Sequence, residues 1–341
     1  MGGVAPINMA TRAHPREEDV RIRPSRSTRP RTKDRPDYSE AIQGFVIAVD
    51  RGRITCLISN TDGERIITAM RARELGKKSV VVGDHVGIVG DTSGTEGSLA
   101  RIVAVNPRRN ALTRTVDDSA GLERMIVSNV DQMAIVIAAA NPEPREGLID
   151  RALVVAFDQG ITPIIILTKT DLLEEKAARG RITAFLKGYR DIDIPVIETK
   201  RGADISDIRE VLSEKVTVLL GHSGVGKSTL VNALVESADR VTGMVNEVTG
   251  RGRHTSSSAV ALALDGPGGW IIDTPGVRSF GVAHVDINRV LGAFTEFREY
   301  LDRCPKNCSH DEAGCALNEL PATEIRLDSL RRILKGSKEG Y

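Results

Sequence analysis

The chain carries a glycine-rich segment far from its N-terminus, Gly221-His222-Ser223-Gly224-Val225-Gly226-Lys227-Ser228. Glycines at this spacing leave backbone N–H groups free to surround a polyphosphate. An apolar strand pattern, residues 216–220, precedes the segment, and a helix is predicted to begin near Lys227. The phosphates would then lie at a helix N-terminus, where the partial charge is positive. A glycine turn that only caps a helix is the alternative, and the complete spacing behind a strand argues against it.

Two further motifs surround this segment in an unusual order. Thr168-Lys169-Thr170-Asp171 is a form of the motif that reads guanine, and it precedes the segment, although in most GTPases it follows. Asp273-Thr274-Pro275-Gly276 comes last. This order resembles that of the circularly permuted GTPases.

The regions on either side narrow the resemblance to the ribosome small-subunit-dependent GTPase A family, from roughly Gln43 to the C-terminus. The resemblance implies an α/β P-loop GTPase core with a circularly permuted, doubly wound sheet. It adds an N-terminal OB-fold β-barrel and a C-terminal zinc-binding, mainly helical domain. It also implies GTP and GDP, Mg²⁺ and one structural Zn²⁺ as ligands. The expected partner is the small ribosomal subunit with its rRNA, on which GTP hydrolysis would be triggered late in subunit assembly.

We expect four regions along the chain. They are a disordered basic N-terminal arm (1–40), an OB-fold RNA-binding domain (41–112), a permuted GTPase domain (113–290) and a zinc-binding C-terminal domain (291–341).

GTP is expected to contact all three motifs. Lys227 should reach the β- and γ-phosphates, and the Ser228 hydroxyl should bind Mg²⁺. The predicted contact residues are Thr168, Lys169, Thr170, Asp171, Gly221, His222, Ser223, Gly224, Val225, Gly226, Lys227, Ser228, Thr229, Asp273 and Gly276.

Asp171 can accept hydrogen bonds from the N1–H and exocyclic amine of guanine, a pattern that adenine does not offer. Lys169 would lay its aliphatic stem beside the base. Asp171 also fits a helix N-cap with an acidic residue, Glu174, three positions later, and this alternative stays open. The family usually has Asn where this chain has Thr168, so we expect weaker nucleotide affinity but the same base. Residues 198–200 correspond to the family's last base-contacting loop or to a plain turn.

The switch segments are expected to complete the catalytic site. Asp273 would hold Mg²⁺ through water, and the Gly276 N–H would contact the γ-phosphate. Thr255, in a segment that resembles the family's first switch, would close on Mg²⁺. Val277 stands where many GTPases carry the water-orienting glutamine, so we expect slow hydrolysis by the free protein. His254 is a candidate to position water, and a surface histidine without that role is the alternative.

Strand patterns divide the rest of the chain into two architectures. Five short strands, residues 44–49, 54–59, 65–70, 80–89 and 99–105, predict an OB-fold barrel that contacts structured RNA, or a purely structural barrel. Beyond a polar connection at 114–123, apolar strands alternate with helices, which indicates a mostly parallel sheet. Ligands bind at the carboxyl ends of strands in such sheets, where each motif lies.

The overall charge is nearly neutral, at +1, so RNA affinity must come from local clusters of Lys and Arg. Residues 11–40 hold nine of them against six acids, and a solvated tail without a partner is the alternative to an RNA-binding arm. The absence of a long apolar run predicts a cytoplasmic protein without membrane contact. We expect it to be a monomer.

A cysteine cluster near the C-terminus suits a metal. Cys304, Cys308, His310 and Cys315 form a Cys₃His set within one short loop, as tetrahedral zinc prefers. The set leaves no open coordination position, so the site should be structural. The helical pattern that follows, 322–335, carries Arg326, Arg331, Arg332 and Lys335, which are available for RNA phosphates or simply solvated.

Two other classes of function remain open from the sequence. One is an ATP-using phosphotransferase in which Asp171 only caps a helix. The other is a nucleic-acid-binding module whose nucleotide site works as a passive switch without turnover.

Overall fold

The computed structural model describes residues 38, 40–60, 63–76, 79–115, 123–235, 259–264, 268–274, 285–292, 294–306, 308–320 and 325–338. The basic arm lies outside this set. No helix within these ranges combines the length and the apolar character needed to span a bilayer.

Five strands form a closed barrel, as predicted for an OB-fold. They are β1 (Ile42–Asp50), β2 (Arg53–Asn60), β3 (Gly63–Arg71), β4 (His85–Gly90) and β5 (Ala100–Val105). The ladder runs β1-β2-β3-β5-β4, and β4 also pairs with β1, which closes the barrel. Its interior is apolar and includes the fully buried Val46, Cys56 and Ile102. A tight turn joins β1 to β2, and both of its residues, Arg51 and Gly52, have positive φ.

The fourth barrel strand is shorter than predicted because a turn occupies residues 80–84. The Asp84 carboxylate accepts the Val81 N–H at 2.9 Å. Gly83 has φ 91°, and a Cβ on it would lie 2.0 Å from the Ser128 carbonyl oxygen. The turn therefore packs directly against the next part of the chain.

That next part is a β-hairpin, where the sequence pattern indicated only a polar connection. Strands β6 (Ala111–Thr115) and β7 (Glu123–Ser128) pair antiparallel. Leu112 and Val127, which pair across the two strands, are fully buried. The burial of these strands depends on their packing against the turn at Gly83, which the local sequence pattern does not show.

The second architecture is the predicted parallel, doubly wound sheet. Strands β8 (Gln132–Ala138), β9 (Thr162–Thr168), β10 (Val196–Glu198), β11 (Val216–Leu220) and β13 (Trp270–Asp273) lie in the order β10-β9-β8-β11-β13. Only β12 (Val260–Ala263) runs antiparallel, beside β13, among the described strands of this part. One residue pair, Ala48 and Val260, joins β12 to β1 of the barrel.

Helices cover both faces of this sheet. One face packs on α1 (Glu146–Asp158) and α2 (Lys176–Arg190), and the other on α3 (Ser206–Leu212) and α4 (Lys227–Leu234). The C-terminal part is mainly helical, as predicted, with α5 (Ile287–Gly292), α6 (Arg298–Leu301) and α7 (Ile325–Lys338). Apolar residues of α7 belong to the same core as those of α1 and α2. The exact domain boundaries stay a prediction.

Candidate functional site

The phosphate loop, residues 221–228, leaves β11 and enters α4 as predicted. A Cβ on Gly221 would lie 2.3 Å from the Val136 carbonyl oxygen, so the loop passes tightly over β8. Gly224 and Gly226 have φ 80° and 99°, and Gly226 directly precedes the first residue of α4. These left-handed residues need glycine, because a side chain is strained there.

Lys227 is the first residue of α4, after the loop that follows β11, and Asp273 is the last residue of the adjacent strand β13. The Lys227 ammonium donates to the carbonyl oxygens of Gly221 and His222, the latter at 3.1 Å. Burial lowers the pKa of Lys227, and the Asp273 carboxylate opposes that shift. Burial likewise raises the pKa of Asp273, against the effect of Lys227. Thr274 ties the two strand ends by donating to the Leu219 carbonyl at 3.2 Å.

Exposed hydroxyl side chains lie in the phosphate loop and in the first turn of α4. Ser223, Ser228 and Thr229 are all exposed. They are thus accessible to a ligand held by the loop.

The motif Thr168-Lys169-Thr170-Asp171 follows the end of β9 and reaches the phosphate loop. The Thr168 Oγ1 lies 2.5 Å from the Val225 carbonyl oxygen and 3.1 Å from that of Ile137. Lys169 has a left-handed backbone, and its ammonium donates to the Asn141 carbonyl. Although Thr168 lacks the side-chain amide of asparagine, its hydroxyl still braces the phosphate loop.

Asp171 is exposed within a short 3-10 turn, Thr170–Leu172. The following helix α2 begins only at Lys176, and its preceding residue is Glu175. The N-cap interpretation of Asp171 is therefore wrong, and its carboxylate is available to a ligand.

A cavity of about 370 Å³ lies between the two motifs. Asp171 and Thr168 line it from one side, and Gly226 and Thr229 from the other. Its volume falls within the range of small-molecule sites. The structure thus brings together residues that lie more than fifty positions apart and in inverted order.

The loop after β10 also lines this cavity, which the sequence indicated only weakly. Thr199 and Lys200 face it, together with Arg201 and Gly202. Glu198 does not, and its carboxylate lies 3.0 Å from the Arg190 guanidinium. Asn141, which holds Lys169, was missed because a carbonyl acceptor leaves no side-chain signal.

The predicted residues of the switches, His254, Thr255 and Gly276, lie outside the described residues, as does Val277. Their roles stay predictions.

Replacing Thr168 by valine should show how much its hydroxyl contributes. The change leaves the nearby carbonyl oxygens without this donor, so we expect the free energy of unfolding to fall by about 1–2 kcal/mol. GDP binding should weaken several-fold, because the phosphate loop loses its brace. Urea unfolding and GDP titration measure both effects. The matched control is Thr162→Val, at the exposed start of the same strand, and an equal loss in the control would contradict the role of Thr168.

The four predicted metal ligands converge at one point. The ligand atoms of Cys304, Cys308, His310 and Cys315 all lie within 4.8 Å of one another. The Cys304 Sγ is 3.7 Å from both the Cys315 Sγ and the His310 Nδ1. Thiolates bound about 2.3 Å from a tetrahedral zinc lie about 3.8 Å apart, so the cluster has the dimensions of a zinc site. No pair of these cysteines is joined by a disulfide.

Helix α7 holds the cysteine loop in place through Arg331. Its guanidinium donates to the His310 carbonyl at 3.3 Å and to the Asn318 Oδ1 at 2.5 Å. Asn318 in turn donates to the carbonyl of Glu312, within the loop, at 2.8 Å. Arg331 is therefore already engaged, contrary to the interpretation that it is available for phosphates.

Arg332, the next residue of α7, is engaged as well. Its Nε lies 2.8 Å from the Asp150 Oδ2, and its guanidinium stacks 4.9 Å from the centre of the Tyr189 ring. The Tyr189 hydroxyl donates to Asp150 at 3.1 Å. These three residues, which we call the helix latch, join α7 to α1 and α2. Lys335 is exposed, and the Arg326 side chain lies outside the described residues.

Comparison with known proteins gives a consistent result. The family model described as RsgA GTPase matches residues 105–283. A protein of Pseudomonas aeruginosa named small ribosomal subunit biogenesis GTPase RsgA is 40% identical over 292 residues, which cover 83% of this chain and 82% of that protein. A protein of the same name from Shewanella oneidensis is 38% identical over 271 residues, or 76% of this chain and 75% of that protein.

Two solved structures share the fold over most of their length. One is YloQ, described as a circularly permuted GTPase, with a TM-score of 0.62 and 25% identity, covering 89% of this chain and 98% of that chain. The other is YjeQ from Thermotoga maritima, with a TM-score of 0.61 and 25% identity over 88% of this chain and 99% of that chain. With the permuted motif order and the convergent cavity, these matches show that the chain is a GTP hydrolase belonging to the RsgA GTPase family.

Proposed function

We propose that this GTPase binds the small ribosomal subunit, assists its late assembly and hydrolyses GTP faster while bound there. The observation that carries the proposal is the similarity, over four-fifths of the chain, to relatives named for small-subunit biogenesis. The proposal also includes a cytoplasmic location and a monomeric state.

In the proposed site, Asp171 reads the N1–H and amine of guanine at the cavity, and Lys227 neutralises the phosphates. Ser228 would bind Mg²⁺ and Asp273 would hold it through water, and the ion would offset charge on the phosphate oxygens. Thr255 and Gly276 would complete the site around the γ-phosphate, and His254 is the candidate to position water. The neighbouring positions of Lys227 and Asp273 support the phosphate half of this arrangement.

For the metal cluster we propose one structural Zn²⁺ bound by Cys304, Cys308, His310 and Cys315. Three thiolates and one imidazole match the preferred ligands of structural zinc, and the distances fit a tetrahedron.

The outer surface of the barrel supports contact with rRNA. Arg53 pairs with Met70, and Met70 pairs with Arg101, so the three side chains stand side by side on neighbouring strands. All three are exposed. Arginines arranged in this way can contact RNA phosphates, and the methionine offers an apolar surface between them.

Single-turnover GTP hydrolysis with and without small ribosomal subunits tests the proposal. We expect stimulation of at least about tenfold, since partner-supplied groups raise hydrolysis by up to about 10⁵-fold in related enzymes. Large subunits serve as the control. Equal rates in all three samples would reject subunit-stimulated hydrolysis and leave a passive nucleotide switch, whereas equal competition by ATP and GTP for the free protein would favour the phosphotransferase.

A further inference from the structure

One edge of a guanine bound in the cavity still lacks hydrogen-bond donors from the protein. Asp171 suits the N1–H and exocyclic amine, but the neighbouring edge, O6 and N7, offers only acceptors and needs donors. Where the family motif usually has an asparagine amide, this chain has the Thr168 hydroxyl. That hydroxyl has a single hydrogen, and two backbone carbonyl oxygens lie within its reach. Thr168 therefore braces the loop and has no donor left for the base.

The loop after β10 contributes two cationic side chains, Lys200 and Arg201, to the lining of the same cavity. No hydrogen bond or ion pair engages either of them within the described part of the chain. By contrast, the other lysine at the cavity, Lys169, already donates to the Asn141 carbonyl.

Arg201 is held on a fixed turn at the rim of the cavity. The Ala203 N–H donates to the Lys200 carbonyl at 3.1 Å, which closes a β-turn with Arg201 in its second position. Gly202, in the third position, has φ 75°, as a type II turn requires. The loop that carries the turn is itself anchored, because the Thr199 N–H donates to the Leu167 carbonyl at 2.8 Å.

We propose that the Arg201 guanidinium donates to O6 and N7 of the bound guanine and so takes over recognition of the edge that Thr168 does not contact. A planar guanidinium presents two parallel N–H donors to adjacent acceptors, whereas the Lys200 ammonium is a single point charge. This inference rests on the proposed binding of GTP in the cavity and adds a specificity-determining residue to it.

Binding of GDP and of 7-deaza-GDP, in which C–H replaces N7, tests this proposal on the full chain. We expect the wild-type chain to bind 7-deaza-GDP about tenfold more weakly than GDP. Arg201→Ala should bind GDP about tenfold more weakly and should no longer distinguish the two nucleotides. Its melting temperature should match the wild type, because the Arg201 side chain is exposed.

Lys200→Ala is the matched control and should keep the wild-type ratio between the two nucleotides. The proposal is overturned if Arg201→Ala keeps that ratio, or if Lys200→Ala loses it. Equal weakening of both nucleotides by Arg201→Ala, with the ratio kept, would indicate stacking on the base and also overturns the edge contact.

A comparison of GDP with ADP separates this inference from the proposed function. If the wild type prefers GDP and Asp171→Asn abolishes the preference, the cavity binds guanine, and the 7-deaza-GDP result then decides the role of Arg201 alone. If the wild type does not prefer GDP over ADP, the guanine site and the role of Arg201 are both rejected.

Discussion

Replacing Arg332 by alanine is expected to lower the free energy of unfolding by about 3 kcal/mol or more, because it leaves a buried carboxylate without its cation. The Asp150 side chain is only 3% exposed, and its contact with Arg332 is a direct 2.8 Å hydrogen bond. The Tyr189 hydroxyl would be its one remaining hydrogen-bond donor in the helix latch. Chemical denaturation of the full chain measures the loss.

The loss of stability in Arg332→Ala should increase as the pH rises. Burial raises the pKa of Asp150, and Arg332 opposes that shift. Without Arg332, the folded variant retains a proton on Asp150 that the unfolded chain releases. Stability of the variant therefore falls as the pH rises from the unfolded pKa towards the raised folded value. We expect a smaller defect near pH 5 than near pH 8.

Two further variants separate the buried charge from a general effect on α7. Lys335→Ala changes an exposed residue of the same helix and should leave stability nearly unchanged. Adding Asp150→Asn to the Arg332→Ala chain removes the unpaired charge and should restore part of the loss. If the double variant is as unstable as Arg332→Ala, or if Lys335→Ala is equally damaging, the ion pair is not the cause.

The helix latch also constrains how the C-terminal part can respond to nucleotide. At the C-terminal end of α1, the Asp158 carboxylate accepts the Asp286 N–H at 2.8 Å, just before α5. Helix α1 thus holds both α5 and α7. Any movement of these helices relative to the GTPase core must break the contacts of Asp150 or Asp158, so we expect them to move together with α1.

The sequence was sufficient to predict features whose residues lie close together along the chain. The strand before the phosphate loop is Val216–Leu220 in the structure, as predicted, because an apolar run that ends in glycines has few other conformations. The cluster of Cys304, Cys308, His310 and Cys315 could be predicted for the same reason, since its ligands are close in sequence.

Contacts between residues that lie far apart along the chain could not be predicted from the sequence. Asp150 and Arg332 are 182 positions apart, and an arginine on a helix is indistinguishable in sequence from one that faces RNA. The hairpin of β6 and β7 was missed because its burial depends on the turn at Gly83, which packs against Ser128. Arg201 lines the cavity because it lies on a tight turn, and the short polar segment that forms this turn has no distinctive sequence pattern.

Replacing Cys315 by serine is expected to abolish zinc binding and to unfold the cysteine loop, while the nucleotide site persists. Binding of structural zinc contributes about 10–16 kcal/mol in small zinc domains, and the cluster here supplies four ligands with none to spare. Phosphate-loop and guanine-motif residues share no ligand with the cluster, so GDP affinity should stay near the wild-type value. Elemental analysis, GDP titration and amide hydrogen exchange over residues 304–320 measure the three effects.

Cys56→Ala provides the matched control, because this fourth cysteine is fully buried in the barrel and belongs to no cluster of metal ligands among the residues that the structure describes. It should retain one zinc per chain, with normal exchange in the cysteine loop. Chelation of zinc from the wild type should reproduce the Cys315→Ser exchange pattern, because both remove the same cross-link between Cys304, Cys308, His310 and Cys315. The hydrogen bond from Arg331 to the His310 carbonyl would remain, but one such bond contributes only about 1 kcal/mol towards holding the loop against α7. Purified wild-type protein without zinc, or a Cys315→Ser chain with full zinc content, would show that the cluster has another role.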